Sequence, residues 1–204
     1  MNWNDCQNEI AQCRECCSRW PDEVIRPFQV GEIPNPPSPI GVLFVGVAPT
    51  PNEGRYQGGH FYTSTQDPLR RGLFALLEEI YKCNFNALSL EEGNAVFHRR
   101  GCFFVHAAKV RPIVKAAPPQ AVLRYCAHQH LRVEIDLLQT QTICFLGKNN
   151  TIRVAEDLFG RPIGEEPQTA SLNHWTGRVV VAPQPRRGWE GRTREILAQI
   201  LPVP

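Results

Sequence analysis

Apolar and polar positions along this chain follow two periods in turn. Val42 to Val47 is a continuous, β-branched run closed by glycine and proline, the pattern of a strand buried on both faces. Cys102 to Ala108, Thr142 to Leu146 and Arg178 to Val181 predict three further strands. Helical spacing appears between them. Leu69, Leu73, Leu76, Leu77 and Ile80 make one apolar face behind Asp67 and Pro68, an N-cap followed by proline at the first helical position. The Pro118-Pro119 pair opens an amphipathic helix to about Leu138, another runs from about Asn150 to Phe159, and a last one reaches about Leu201. Asn2 to Trp20 reads as a short helical segment, and Pro34, Pro36, Pro37 and Pro39 break the chain before the first strand. Asn84 to Arg100 yields no clear pattern.

Strands alternating with helices predict parallel strands joined by right-handed crossovers. The expected fold is therefore a three-layer α/β/α sandwich around a central four-stranded parallel sheet. It forms one domain over 1–204, with 1–40 as a cysteine-containing helix and proline-rich lead-in. Ligands bind such sheets at the carboxyl ends of the strands, so the loops after Val47, Ala108, Leu146 and Val181 are expected to line the site.

Composition adds limits. With 204 residues and 42% hydrophobic positions, the chain can bury a full core and lies far from disordered compositions. No apolar run approaches bilayer length and the N-terminus lacks a leader pattern, so the expectation is a cytoplasmic protein that meets no membrane and acts as a monomer. Net charge is +2, yet four lysines stand against eighteen arginines. Arginine's planar fork grips phosphate through two hydrogen bonds, which suits a nucleic-acid partner, and a GC-rich genome produces the same bias. Eight cysteines in a chain with its own core read as thiols or metal ligands rather than disulfides.

The first loop runs Gly46, Val47, Ala48, Pro49, Thr50, then Glu53, then Gly58, Gly59, His60, Phe61 and Tyr62. Its glycines admit a close ligand, and an exposed aromatic after them would stack a planar base. The second strand ends in His106, Ala107, Ala108, Lys109, Val110, Arg111 and Pro112, with Cys126 one helix later. This order of motifs resembles the uracil-DNA glycosylase superfamily. It is most similar to the iron-sulfur, family 4 branch, which carries an N-terminal Cys-x-x-Cys and an acid at the place of Glu53.

The resemblance implies a DNA base-excision protein that hydrolyses the N-glycosidic bond of an extruded uracil or deaminated base, in single- or double-stranded DNA. It places Gly46, Ala48, Pro49, Phe61, Pro183 and Gln184 around the base. Three departures bear on chemistry. Val47 and Ala48 stand where the family has an acid or amide, His106 where an asparagine reads uracil, and Ala182 where a histidine stabilises the departing base. Glu53, Asp67 and His106 are left as candidate catalytic groups, with Asp67 also read as the helix cap and Glu53 also as a solvated loop residue. The alternatives are a non-catalytic module for damaged or single-stranded DNA with a degenerate base pocket, or a hydrolase of another N-glycoside.

Two further sites follow from the same resemblance. The family's [4Fe-4S] cluster takes four thiolates; Cys13, Cys16 and Cys126 match three, and Val110 occupies the fourth position. Cys102, at the other end of its strand, is roughly 26 Å away, and Cys144 reads as core. Cys17 or Cys6, or for zinc His128 or His130, could complete a site, so a cluster, zinc and no metal all stay open. The stretch from Pro185 to Arg194 holds four arginines and Trp189. In the family the corresponding loop enters the minor groove, which makes Arg186, Arg187, Trp189 and Arg192 the expected DNA contacts.

Overall fold

The computed structural model describes residues 1–27, 33–49, 61–113, 117–147, 149–185, 188 and 190–201. Its centre is a five-stranded sheet built from β2 (Val42–Gly46), β3 (Cys102–His106), β5 (Thr142–Leu146), β6 (Gln168–Leu172) and β7 (Trp175–Ala182), in the order β3-β2-β5-β7-β6. Neighbours in the series β3-β2-β5-β7 pair in parallel. Every residue of β2, β3 and β5 is buried, which is why these strands read as unbroken apolar runs.

The expected four parallel strands are thus present, but the sheet has a fifth. β6 pairs antiparallel with β7 at the edge, through a turn at Asn173 and His174 in which Asn173 takes φ 50°. Its alternating Gln-Thr-Ala-Ser-Leu pattern is weakly apolar, and half of it faces solvent, so periodicity alone passed over it. Asp136 holds the turn, accepting from Asn173 Nδ2 at 2.9 Å and from the His174 N–H at 3.2 Å.

The N-terminal segment forms two helices rather than one, α1 (Trp3–Gln12) and α2 (Glu15–Arg19), broken where Cys13 takes an extended conformation. A short β1 (Val24–Pro27) then pairs antiparallel with β4 (Val110–Pro112), so the lead-in is sewn onto the body by backbone hydrogen bonds. α3 (Pro68–Tyr81) starts at Asp67 as predicted. The stretch without a pattern contains α4 (Leu90–Arg99), nucleated by a Ser89–Glu92 capping box. The predicted helix from Pro118 is continuous but carries a π-helical turn at Ala127–Leu131 between α5 (Gln120–Cys126) and α6 (Arg132–Leu138). α7 (Asn150–Phe159) and α8 (Glu190–Ile200) complete the chain. No helix of the described residues is long and apolar enough to cross a membrane.

The strand order reverses at β2. The connection from β2 leads to β3 on one side, and the connection from β3 leads to β5 on the other. Right-handed crossovers running in opposite directions fall on opposite faces: α3 packs on α8, and α5 on α7. The direction of the crossovers therefore changes between β2 and β5, and in sheets of this kind ligands bind at the carboxyl ends of the strands at such a switch point.

Candidate base-binding site

The carboxyl edge of the sheet at this switch point is bordered by the loop after β2. Gly46 O accepts from the Ala107 N–H at 2.8 Å and Val47 O from the Ala108 N–H at 2.9 Å, so the loops after β2 and β3 are locked side by side. Gly147, at the end of β5, donates to Ala182 O at 2.8 Å and joins the loop after β7 to the same edge. This brings Gly46, Ala48, Pro49, His106, Ala182 and Pro183 to one rim. Pro49 and Pro183 are buried, while Gln184 points to solvent. A Cβ on Gly46 would lie 2.7 Å from Phe104 Cζ, so only glycine fits beside that ring. His106 is 4% exposed and stands edge-on to Phe104, with ring centroids 4.7 Å apart.

Phe61 corrects the expectation of an exposed platform. It is fully buried, stacked on Phe104 with centroids 4.2 Å apart and planes 13° apart, and walled by Tyr62, Phe74 and Phe97. The hydrophobic gain of an aromatic cluster, together with its preferred offset contacts, outweighs leaving the ring in water. Two residues that sequence reasoning missed hold this segment. Arg70, 3% exposed, donates from Nη1 to Phe61 O at 2.9 Å and to Asn94 Oδ1, and its guanidinium lies 4.2 Å over the Phe74 ring. Burial lowers its pKa to about 10. Asn94 Nδ2 donates to Tyr62 O at 3.3 Å, and the Tyr62 hydroxyl accepts from the Phe104 N–H of edge strand β3 at 2.8 Å. The α4 helix thus supplies Asn94 to fasten the motif, a purpose that no local pattern announces.

Asp67 is occupied as a cap. It is 4% exposed and accepts from the Arg70 N–H at 2.8 Å, and desolvation raises its carboxyl above the usual range. Its Oδ1 therefore serves the first turn of α3, the cap role also expected from the sequence. Arg192 lies on α8 rather than in a loop, half-exposed and donating to Glu165 at 2.7 Å and to Glu195 at 3.0 Å. Arg194 on the same helix pairs with Glu79 at 2.9 Å. Helix propensity extends through this stretch once Glu190 begins the first turn, which is why the expected basic loop is shorter than its arginine content suggested. Glu53, Gly58, Gly59, Arg186, Arg187 and Trp189 lie outside the described residues.

Below the rim is a second arrangement the sequence did not reveal. Lys109, 1% exposed, donates from Nζ to His106 O and to Glu134 Oε2 of α6, and Glu134 also accepts from Gln7 Nε2 of α1 at 3.2 Å. Burial first, and then the Lys109 charge, lower the His130 pKa to about 4. Burial and the Glu134 charge push the Cys6 thiol up to about 12. Cys126 Sγ lies 3.4 Å from Cys16 Sγ. The hydrogen bond between the two thiols raises the pKa of Cys16, assisted by burial, and lowers that of Cys126. Cys13 and Cys17 are half-buried nearby. His128 is turned to Asp157 at 2.8 Å, away from the thiols. Among the described residues no three His, Cys, Asp or Glu side chains converge as a metal-binding group. A separate groove of about 920 Å³ between α2, α5 and α7 is lined by Trp20, Arg124, Tyr125 and Arg153 and contains none of the rim residues.

A family model for the uracil DNA glycosylase superfamily matches residues 35–199, most of the chain. The chain belongs to the uracil DNA glycosylase superfamily. Membership carries a DNA glycosylase-type role and a DNA substrate in general terms. The rim described above, from Gly46 to Pro183, falls wholly within the match, whereas Cys13, Cys16 and Cys17 precede it. No curated protein matches the chain.

Proposed function

We propose that this superfamily member binds DNA carrying a deaminated base, accommodates the extruded nucleotide at the carboxyl ends of β2 and β5, and hydrolyses its N-glycosidic bond. One observation carries the reading: the hydrogen bonds from Ala107 to Gly46 and from Ala108 to Val47 set His106 on the same rim as the Gly46–Pro49 loop. In the reaction, water adds to the sugar C1′ as the C1′–N bond breaks, and the base leaves with the bonding pair and then takes a proton. His106 is assigned to the edge of that base, where an imidazole N–H donates to the oxygen on which negative charge develops. Glu53 is assigned to the cationic sugar or the attacking water, Phe61 supports the pocket through Phe104, and Arg186 and Arg187 contact phosphate. The chain is then an offshoot of the iron-sulfur branch that keeps the base site and has a reduced set of thiols.

A second reading rests on Ala48 and Ala182. Methyl groups stand where water positioning and leaving-group stabilisation would otherwise be supplied, which suits a module that binds extruded bases without cleaving them. One assay separates the two. Oligonucleotides bearing uracil, hypoxanthine or xanthine are incubated with the protein, then treated with alkali to cut at abasic sites. Cleavage that is lost in His106→Ala and in Glu53→Gln supports the enzyme. Salt-sensitive binding of the same oligonucleotides with no cleavage supports the module, and absence of both refutes the proposal.

A further inference from the structure

The Cys16 and Cys126 sulfurs are 3.4 Å apart, although 110 positions separate them in the chain. Both side chains are buried, at 2% and 1% exposure, and they join α2 to α5 beneath the β1–β4 ribbon. A cubane cluster takes four thiolates, and the matched fourth position is Val110, an aliphatic side chain itself 4% exposed. The position matched to the branch's fourth ligand thus carries no thiol, and among the described residues no three His, Cys, Asp or Glu side chains converge as a metal-binding group. What remains is a dithiol in van der Waals contact. A disulfide needs its sulfurs about 2.05 Å apart, so closing this gap takes an approach of little more than an ångström.

From this geometry we infer that Cys16 and Cys126 are a redox-active dithiol, oxidised to a disulfide by a low-molecular-weight disulfide of the glutathione type. The exchange balances without any other reactant. A thiolate of the site attacks the small disulfide, forming a mixed disulfide and releasing one small thiol; the neighbouring cysteine then displaces the second. Two electrons pass to the oxidant, and the two protons leave on the two small thiols. Cys13 and Cys17, half-exposed on either side of Cys16, give the oxidant its way in, and exchange passes the bond inward to the pair in contact. Oxidation fastens the N-terminal helices to α5, whose Cys126 accepts from the backbone N–H of Lys109, the residue that holds His106. The pair is independent of whether the chain cleaves glycosidic bonds.

The test equilibrates the purified full chain in glutathione buffers of graded ratio, quenches in acid, alkylates the free thiols and maps the cross-linked peptides by mass spectrometry. A Cys16–Cys126 cystine is expected, appearing as a single two-electron transition and accompanied by a rise in Tm that dithiothreitol reverses. It is expected to vanish in Cys16→Ser and in Cys126→Ser and to persist in Cys17→Ser and Cys144→Ser; the Cys17 variant also resolves which adjacent cysteine is bridged. Linkage through Cys13 or Cys17 instead, or free thiols in the most oxidising buffer, overturns the inference. So does stoichiometric iron or zinc, released only when these thiols are alkylated, after anaerobic purification.

Discussion

Replacing Lys109 with methionine keeps the length of the side chain and removes the charge that answers Glu134. Both partners are almost wholly buried, at 1% and 0% side-chain exposure, so little water can take over the lost interaction. Removing one member of such a pair costs about 3–5 kcal/mol, because the other charge stays buried without compensation. Among the described residues, the hydrogen bond left to Glu134 would be the one from Gln7 at 3.2 Å. In a chain of this size each kcal/mol moves Tm by about 2–4 °C, which gives an expected fall of about 6–20 °C. Urea unfolding followed by circular dichroism at fixed pH measures the same loss isothermally. The double variant Lys109→Met/Glu134→Leu removes both charges. It is expected to recover most of the stability but not all, since His106 O loses its Nζ donor in either variant, at a cost of about 1–3 kcal/mol. A single variant within about 0.5 kcal/mol of the parent, or a double variant no more stable than the single, would refute the assignment of this pair as a buried, mutually dependent element.

The His130 pKa is lowered to about 4 from an ordinary value of 6.5, so folding favours its neutral form. The stability this provides is complete above pH 6.5 and is lost as pH falls toward 4, by about 2–4 kcal/mol in all. In His130→Phe this part of the pH dependence should disappear, so that the variant's urea midpoint falls less than the parent's between pH 6.5 and 4. Asp67→Ala, which deletes the α3 cap, should cost about 1 kcal/mol while Asp67→Asn costs less, and neither should change turnover at a temperature where both are folded. A turnover defect in a folded Asp67→Asn would restore Asp67 as a catalytic acid. In Gly72→Ala the new Cβ would sit 2.0 Å from Pro185 O, which forces α3 away from the loop after β7. A loss of about 1–3 kcal/mol is expected in thermal unfolding, with weakened DNA binding in a fluorescence-anisotropy titration.

The parallel part of the fold was legible because burial on both faces leaves no room for polar residues, so Val42–Gly46, Cys102–His106 and Thr142–Leu146 announce themselves. β6 did not, because an edge strand answers to one neighbour and its outer face is free to be polar. α4 did not, because its apolar stripe is thin and its decisive residue, Asn94, acts on a backbone carbonyl 32 positions away. Arg70 was hidden because its partners Phe61 O and Asn94 lie 9 and 24 positions away, and a guanidinium at helical spacing reads as a solvated face until they are seen to surround it. Phe61 was misjudged as exposed because adjacency to glycines says nothing about Phe104, whose stacking partner is set by sheet geometry. Cys16 and Cys126 meet because α2 reaches α5, which spacing alone does not determine.

The β6–β7 hairpin bears on how the chain is made. Among the described strands it is the pair closed by a two-residue turn, whereas Val42 must find both Cys102 and Thr142 across long crossovers. Hairpins close in microseconds, so β7 arrives with its outer partner already attached and seals β5 in one step. During synthesis from the N-terminus, β2, β3 and β5 therefore emerge long before anything protects the far side of β5. A nascent or prematurely terminated chain ending ahead of Trp175 would present Thr142–Leu146 as an open apolar edge, the kind of surface that recruits chaperones or a second copy of itself.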